Sequence, residues 1–151
     1  MDRQDIAEQT KVEQELLGHV MEGLRLSTNW QVRGPDGSRK LSTLRFVTGS
    51  FQRHLERLFA LEENDGFMDK VLACAPQFGR ATVALRADHD SFRAEALRIV
   101  QQLERLQATD LDALEKLSGE LLALLNRIEA HNRKEMALLL EAFARDEGGE
   151  G

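Results

Sequence analysis

The chain has 151 residues, of which 42% are hydrophobic and 30% are charged, and this length suits one domain over residues 1–151 rather than two. The formal net charge of −6, with acids and bases interspersed, excludes an electrostatic surface for nucleic acid or an anionic membrane. The single cysteine, Cys74, cannot form an intramolecular disulfide, and no apolar run has the length of a transmembrane helix or signal-peptide core, so a cytoplasmic location is expected.

Two amphipathic helices are predicted in the first half of the chain. The first covers residues 5–30, and its stripe at helical spacing consists of Ile6, Val12, Leu16, His19, Gly23 and Leu26. Residues 31–38 are rich in glycine, proline and aspartate and predict a loop. The second helix starts near Lys40, with a stripe of Leu44, Thr48, Phe51, Leu55, Leu58 and Glu62. Residues 64–66 weaken this helix, and helical character resumes over 67–72, ahead of Pro76.

Two further helices are predicted in the second half. The third follows Pro76, and its stripe is Phe78, Thr82, Leu85, His89, Phe92, Ala96, Ile99, Leu103 and Leu106. Thr109 and Asp110 supply N-cap chemistry for the fourth helix, which runs to about Arg145, before a tail at 146–151 that should fray. The fourth stripe is Leu121, Leu124, Ile128, His131, Glu135, Leu138 and Ala142. Four such helices with short connections predict an all-α, up-down-up-down four-helix bundle.

Three histidines and two carboxylates occupy core steps of these stripes. The histidines lie at similar distances from one bundle end: His19 is 13 residues past Ile6, His89 is 13 past Pro76, and His131 is 14 before Arg145. At ~1.5 Å per residue each is ~20 Å from that end, so the three side chains are expected in one layer. Glu62 joins this layer if the second helix continues toward Cys74. Glu135 follows His131 by four residues and shares its helix face.

Such a layer predicts a metal site. Buried imidazole and carboxylate groups need a partner, and together they are the donors that iron, manganese or zinc prefers, while the lack of thiolates argues against a soft metal. The alternative is a buried His–Glu hydrogen-bond network without an ion. No glutamate lies three residues before any histidine, which disfavours the ferritin-like carboxylate bundles. HExxH and glycine-rich phosphate motifs are absent too.

Three segments carry a resemblance to a known family. Residues 58–68, 85–89 and 128–143 resemble the bacterial hemerythrin-like (HHE cation-binding) family, and the most specific element is the His131-x-x-x-Glu135 pair followed by an apolar run. The resemblance covers about residues 12–149. It implies a four-helix bundle with a non-heme, usually di-iron, centre that has terminal histidine ligands and bridging carboxylates.

The resemblance also assigns roles to residues. It implies that His19, His89 and His131 are nitrogen ligands and that Glu62 and Glu135 are the carboxylate ligands. Two positions depart from the family pattern: Leu58 stands where the second helix usually has a histidine, and Arg93 stands where oxygen-carrying members often have another. The site is therefore incomplete: it is expected to hold two irons with one coordination position filled by water, or else a single ion or none. His54, one turn before Leu58, is not counted as a ligand.

Two functional hypotheses follow. The first is a non-heme iron protein that binds or senses a diatomic ligand such as O2 or NO, or that handles iron, with apolar layers of Leu16, Phe92, Ile128 and Leu138 restricting water. The second is a metal-free helical interaction or regulatory module with a vestigial site. An enzyme, for instance acting on peroxide, is disfavoured because no substrate pocket is indicated. Three leucines outside the stripes are compatible with a homodimer: Leu17, Leu139 and Leu140.

Overall fold

The computed structural model describes residues 3–64, 67–74 and 76–148, and within these ranges the chain is all-helical. Four long helices are present: α1 (Arg3–Thr28), α2 (Ser38–Glu63), α4 (Gly79–Arg105) and α5 (Leu111–Gly148). A short helix, α3 (Phe67–Cys74), and a single 3-10 turn (Pro76–Phe78) lie between α2 and α4. None of the helices in the described part combines the length and apolar character that a membrane crossing requires.

The four long helices surround one core. Helix α2 packs against α1 and α4, α5 packs against α4 and α1, and α3 contacts α5 and α2. This arrangement is compatible with a four-helix bundle. Large side chains from all four long helices are fully buried, including Leu24, Phe51, Ile99 and Leu121. Burying each such side chain contributes about 1.5–3 kcal/mol, so this core is the main source of stability.

Sequence signals at the connections explain where the helices begin. Asp110 caps α5, because its Oδ1 accepts a hydrogen bond from the Ala113 amide at 3.1 Å, as the N-cap prediction expected. Gly34 in the first loop has a φ of +96°, which suits glycine. The same loop is tied to the α4–α5 connection, since the Gly37 amide donates to the Ala108 carbonyl at 2.9 Å. The two loops are therefore held together at one end of the molecule.

Contacts between α1 and α2 fix their relative register. The Lys40 ammonium donates to the Thr28 carbonyl at 2.9 Å, and His54 Nδ1 lies 3.0 Å from Glu13 Oε2. Between these two contacts, the residue number falls by 15 along α1, from 28 to 13, and rises by 14 along α2, from 40 to 54. Eight residues beyond His54, Glu62 must lie level with about residue 5 of α1.

Helix α1 turns a different face to the core than its predicted stripe. Leu17, Met21 and Leu24 are buried, whereas Val12, Leu16 and Leu26 of the predicted stripe are exposed. The predicted roles of Leu16 as a core layer and of Leu17 as an exposed residue are therefore wrong. Helix α1 carries two apolar stripes about one residue apart, and periodicity alone did not separate them.

One predicted helix end also differs. Helix α5 continues to Gly148, so residues 146–148, which were expected to fray, are helical. The rest of the predicted tail, 149–151, lies outside the described residues. Of the other two predicted exposed leucines, Leu140 is exposed and Leu139 is half-buried.

Candidate metal centre

Three helices bring four donor side chains together. Helix α2 supplies Glu62 from its last turn, α4 supplies His89 from its first half, and α5 supplies His131 and Glu135 from successive turns. All four side chains are buried, with exposed fractions of 1%, 0%, 2% and 6% respectively. A histidine and a carboxylate four residues apart on α5 point to the same side, so α5 provides half of the cluster.

The donor atoms converge on one point. His89 Nε2 lies 3.0 Å from His131 Nε2 and 2.8 Å from Glu135 Oε1, and His131 Nε2 lies 2.6 Å from the same oxygen. His89, His131 and Glu135 thus form a group that could hold a metal ion. Glu62 Oε2 is 3.3 Å from His89 Nε2 and lies beside this group of three donors.

Glu62 is the residue without a satisfactory partner. Its distance to His89 is that of an ion pair, but no donor among the described residues meets hydrogen-bond geometry at either of its carboxylate oxygens. A buried carboxylate in this condition costs about 1–3 kcal/mol or more, and such atoms are rare in folded proteins. The cluster therefore has an unmet requirement for a positive or donating group beside Glu62.

The outer nitrogens of both histidines are held by carboxylates. His89 Nδ1 lies 3.2 Å from Glu63 Oε1, and His131 Nδ1 lies 2.9 Å from Asp88 Oδ2. An ionised carboxylate only accepts hydrogen bonds, so each Nδ1 must carry the proton and donate it. In the neutral imidazoles the lone pair then sits on Nε2, which faces the other donors. This pairing is the one that orients metal-ligating histidines in proteins.

Aromatic rings enclose the histidines. The Phe59 ring stacks on His89 with centroids 3.8 Å apart and an interplanar angle of 10°, and Phe92 meets His131 edge to face at 5.3 Å. Leu58 is buried next to Phe59 in the chain and offers no donor atom. These walls limit water near the donors, which strengthens electrostatic interactions between them.

The charges of the cluster are strongly perturbed. Burial raises the pKa of Glu62 to about 7, against the opposing effect of His89. Burial alone would lower the pKa of His89, but its contacts with Glu135 and Glu62 together raise it to about 9. The pKa of His131 is raised in the same way, chiefly by Glu135, and the two histidines lower the pKa of Glu135 despite its burial. Without an ion, the carboxylates hold protons on the imidazoles.

His19 does not belong to this cluster. Its side chain is exposed on α1, so the prediction that it faces the core is wrong. The register of α1 and α2 places Glu62 level with about residue 5, some 14 residues from His19, which is about 21 Å along the helix. The layer argument failed because it aligned the helices by their predicted ends, whereas α1 begins close to the level of the cluster. His54 contacts Glu13 instead.

Three residues around the cluster were not singled out as functional from the sequence. Glu63 and Asp88 hold the histidines, and Arg93 binds Glu63 through two hydrogen bonds of 2.9 and 2.7 Å. Arg93 was noted from the sequence only because it stands where the family often has a histidine. The sequence did contain a signal for two of them, because Glu63 and Asp88 each stand next to a candidate ligand. A side chain in that position can reach the next helix.

The residues present fit a transition-metal ion. The imidazole nitrogens of His89 and His131 and the carboxylate of Glu135 face one another, and the unsatisfied Glu62 oxygens beside them provide negative charge that a cation would neutralise. No protein-family model, curated protein or solved structure matches the chain. The chemistry of the cluster is therefore the basis for assigning a function.

Proposed function

We propose that this chain is a hemerythrin-like, non-heme iron protein, with an up-down-up-down four-helix bundle. Glu62, His89, His131 and Glu135 would hold the metal, while Glu63 and Asp88 would orient the two imidazoles. The opposite directions of residue numbering along the α1–α2 contacts support the bundle topology. The resemblance of residues 58–68, 85–89 and 128–143 to the hemerythrin-like family favours iron over zinc or manganese, which the same donors accept.

The observation that carries this proposal is the buried Glu62 carboxylate without a hydrogen-bond donor, beside two Nε2 atoms directed inward. A hydrogen-bond network complete in itself would leave no such group. The same three helices supply all four donors, so binding an ion requires no rearrangement of the fold.

The proposed role is to bind or sense a diatomic ligand such as O2 or NO, or to handle iron. Bound iron would supply an open coordination position for such a molecule. Phe59 and Phe92 enclose the histidines, which favours a small, uncharged molecule over a larger one.

Metal analysis tests this proposal. Protein purified from iron-supplemented cells should contain stoichiometric iron, and anaerobic exposure of that protein to nitric oxide should change its visible absorption. His131→Ala should abolish the iron content, whereas His19→Ala, which changes an exposed histidine, should leave it unchanged. Iron retained by a folded His131→Ala protein, or an iron-free wild type, would contradict the proposal.

A second candidate is supported by a different observation. Glu135 Oε1 lies within hydrogen-bond distance of both inner nitrogens, at 2.8 and 2.6 Å, so protonated histidines can hold much of the cluster without an ion. The chain would then be a metal-free helical interaction or regulatory module. A well-folded protein with no metal affinity for iron, zinc or manganese would favour this candidate.

A further inference from the structure

We propose that the cluster takes one divalent transition-metal ion rather than two, and that Arg93 excludes the second ion by neutralising Glu63. The inference rests on the proposed metal function and specifies its stoichiometry. It is carried by the spacing of the donor atoms, by the charge of the cluster and by the contacts of Arg93.

The donor spacing corresponds to a single coordination sphere. With metal–ligand bonds of about 2.0–2.1 Å, neighbouring donors of a tetrahedral ion are about 3.3 Å apart. The donor atoms of His89, His131 and Glu135 lie 2.6, 2.8 and 3.0 Å apart, and Glu62 Oε2 approaches one of them, His89 Nε2, at 3.3 Å. Paired metal ions lie about 3.5–4 Å from each other and need donors spread over a wider span. Small outward shifts of these three donors accommodate one ion, with the Glu62 carboxylate beside it.

The charge of the cluster also matches one ion. With both imidazoles neutral, Glu62 and Glu135 contribute two negative charges. One divalent ion brings the buried total to zero. A second divalent ion would leave two positive charges without compensation among buried side chains, which is strongly unfavourable.

Further carboxylates lie nearby, but they are already paired with other side chains. Glu63 receives both terminal nitrogens of the Arg93 guanidinium, a two-point pairing that is among the strongest in proteins. The same guanidinium lies 5.3 Å from the centroid of Phe59, which also stacks on His89, so it is fixed beside the cluster. Asp88 holds His131 from a half-exposed position. A second cation would need the negative charge of Glu63. Arg93 already neutralises that charge with a permanent positive one.

Titration of the metal-free protein with cobalt(II) tests this inference, with ions per chain counted by native mass spectrometry and visible absorption reporting coordination. The wild type should saturate at one ion, with the intense absorption of tetrahedral cobalt. Arg93→Gln frees Glu63, together with the exposed Glu56 and Asp90 that the same guanidinium contacts, and should bind a second, weaker equivalent. Adding Glu63→Gln to that variant should return the count to one, because Glu63 is the carboxylate that the second ion requires. Arg98→Gln is the matched control, because Arg98 likewise pairs with more than one carboxylate, Glu95 and Glu120, outside the cluster.

The outcomes separate this inference from the function on which it rests. A wild type that binds two ions overturns the inference and leaves the proposed function standing, while a wild type that binds none overturns both. A folded Arg93→Gln protein that still saturates at one ion overturns the role of Arg93. Thermal unfolding followed by circular dichroism establishes that each variant is folded.

Discussion

At the scale of single residues, Glu62 is the side chain that the metal-free fold supports least. Its folded-state pKa of about 7 exceeds the ordinary value of 4.5, so its contribution to stability declines as pH rises between these values. Glu62→Gln keeps the shape and removes the charge. We expect it to raise the free energy of unfolding of the metal-free protein by about 1–3 kcal/mol at pH 8, and to have little effect at pH 4.

Denaturant unfolding with a chelator present measures this effect. Glu63→Gln is the comparison, because Arg93 lowers the pKa of Glu63 and removing that carboxylate should destabilise the protein instead. The two neighbouring substitutions should therefore change stability in opposite directions at pH 8. A loss of stability in Glu62→Gln would show that the carboxylate has a partner in the folded protein.

The histidines should couple metal binding to pH. The raised pKa of His89, about 9, means that its pairing with Glu135 and Glu62 stabilises the metal-free protein fully below pH 6.5 and is lost as pH rises through 9. A metal must displace this proton. We expect zinc affinity to increase from pH 6 to pH 9. Calorimetry in buffers of different ionisation enthalpy should detect proton release at pH 7.5, and an affinity independent of pH would contradict this charge state.

The sequence predicted inward positions for His89, His131, Glu62 and Glu135 because each stands in a long stripe with only one possible buried face. The orienting residues were harder to find. Glu63 and Asp88 lie beside the stripes, where charged residues usually face solvent, and their roles depend on how far apart the helices pack. That the four inward donors bind a metal stays a prediction.

At the scale of elements, α1 is the helix whose buried face could not be predicted from hydrophobic periodicity. Its two apolar stripes are about one residue apart, and the choice between them depends on contacts with α2 and α5 that no single helix encodes. The level of His19 was wrong for a different reason, because the helices were aligned by their predicted ends. The other helices, each with one dominant stripe, were predicted with their buried faces correct at Phe51, Ile99 and Leu124.

The contact between the two loops should be intolerant of added volume. A Cβ at Gly37 would lie 2.8 Å from Leu114 Cδ2 and 3.1 Å from the Ala108 carbonyl oxygen, and the latter belongs to the backbone and cannot easily move. We expect Gly37→Ala to lower the free energy of unfolding by about 1–3 kcal/mol. Denaturant melts of the metal-free protein measure the change.

Gly119 provides the matched control for that substitution. It lies inside α5, and a Cβ there would meet nothing within 4 Å. Gly119→Ala should therefore stabilise the protein by about 0.5–1 kcal/mol, because alanine restricts the unfolded chain and favours helix. Equal effects from both substitutions would contradict the close contact at Gly37.

At the scale of the whole molecule, the proposed ion would link α2, α4 and α5. Binding to the folded state alone should stabilise it by about 4 kcal/mol when free metal is 1,000 times the dissociation constant. We expect zinc or iron(II) to raise the melting temperature and a chelator to reverse the shift. Glu135→Gln should reduce the metal-dependent shift while Gly119→Ala leaves it intact. If added metal does not change the melting temperature of the wild type, binding at the cluster is contradicted.

The alignment of the cluster with about residue 5 of α1 has a consequence for exchange with solvent. Terminal turns of a helix open at a much lower free energy than its centre, because few contacts are broken when they do. At the level of the cluster, α1 therefore presents its end rather than its centre. We expect any exchange of ions or small molecules with solvent to use this end of the molecule, while α2, α4 and α5 keep the donors in place.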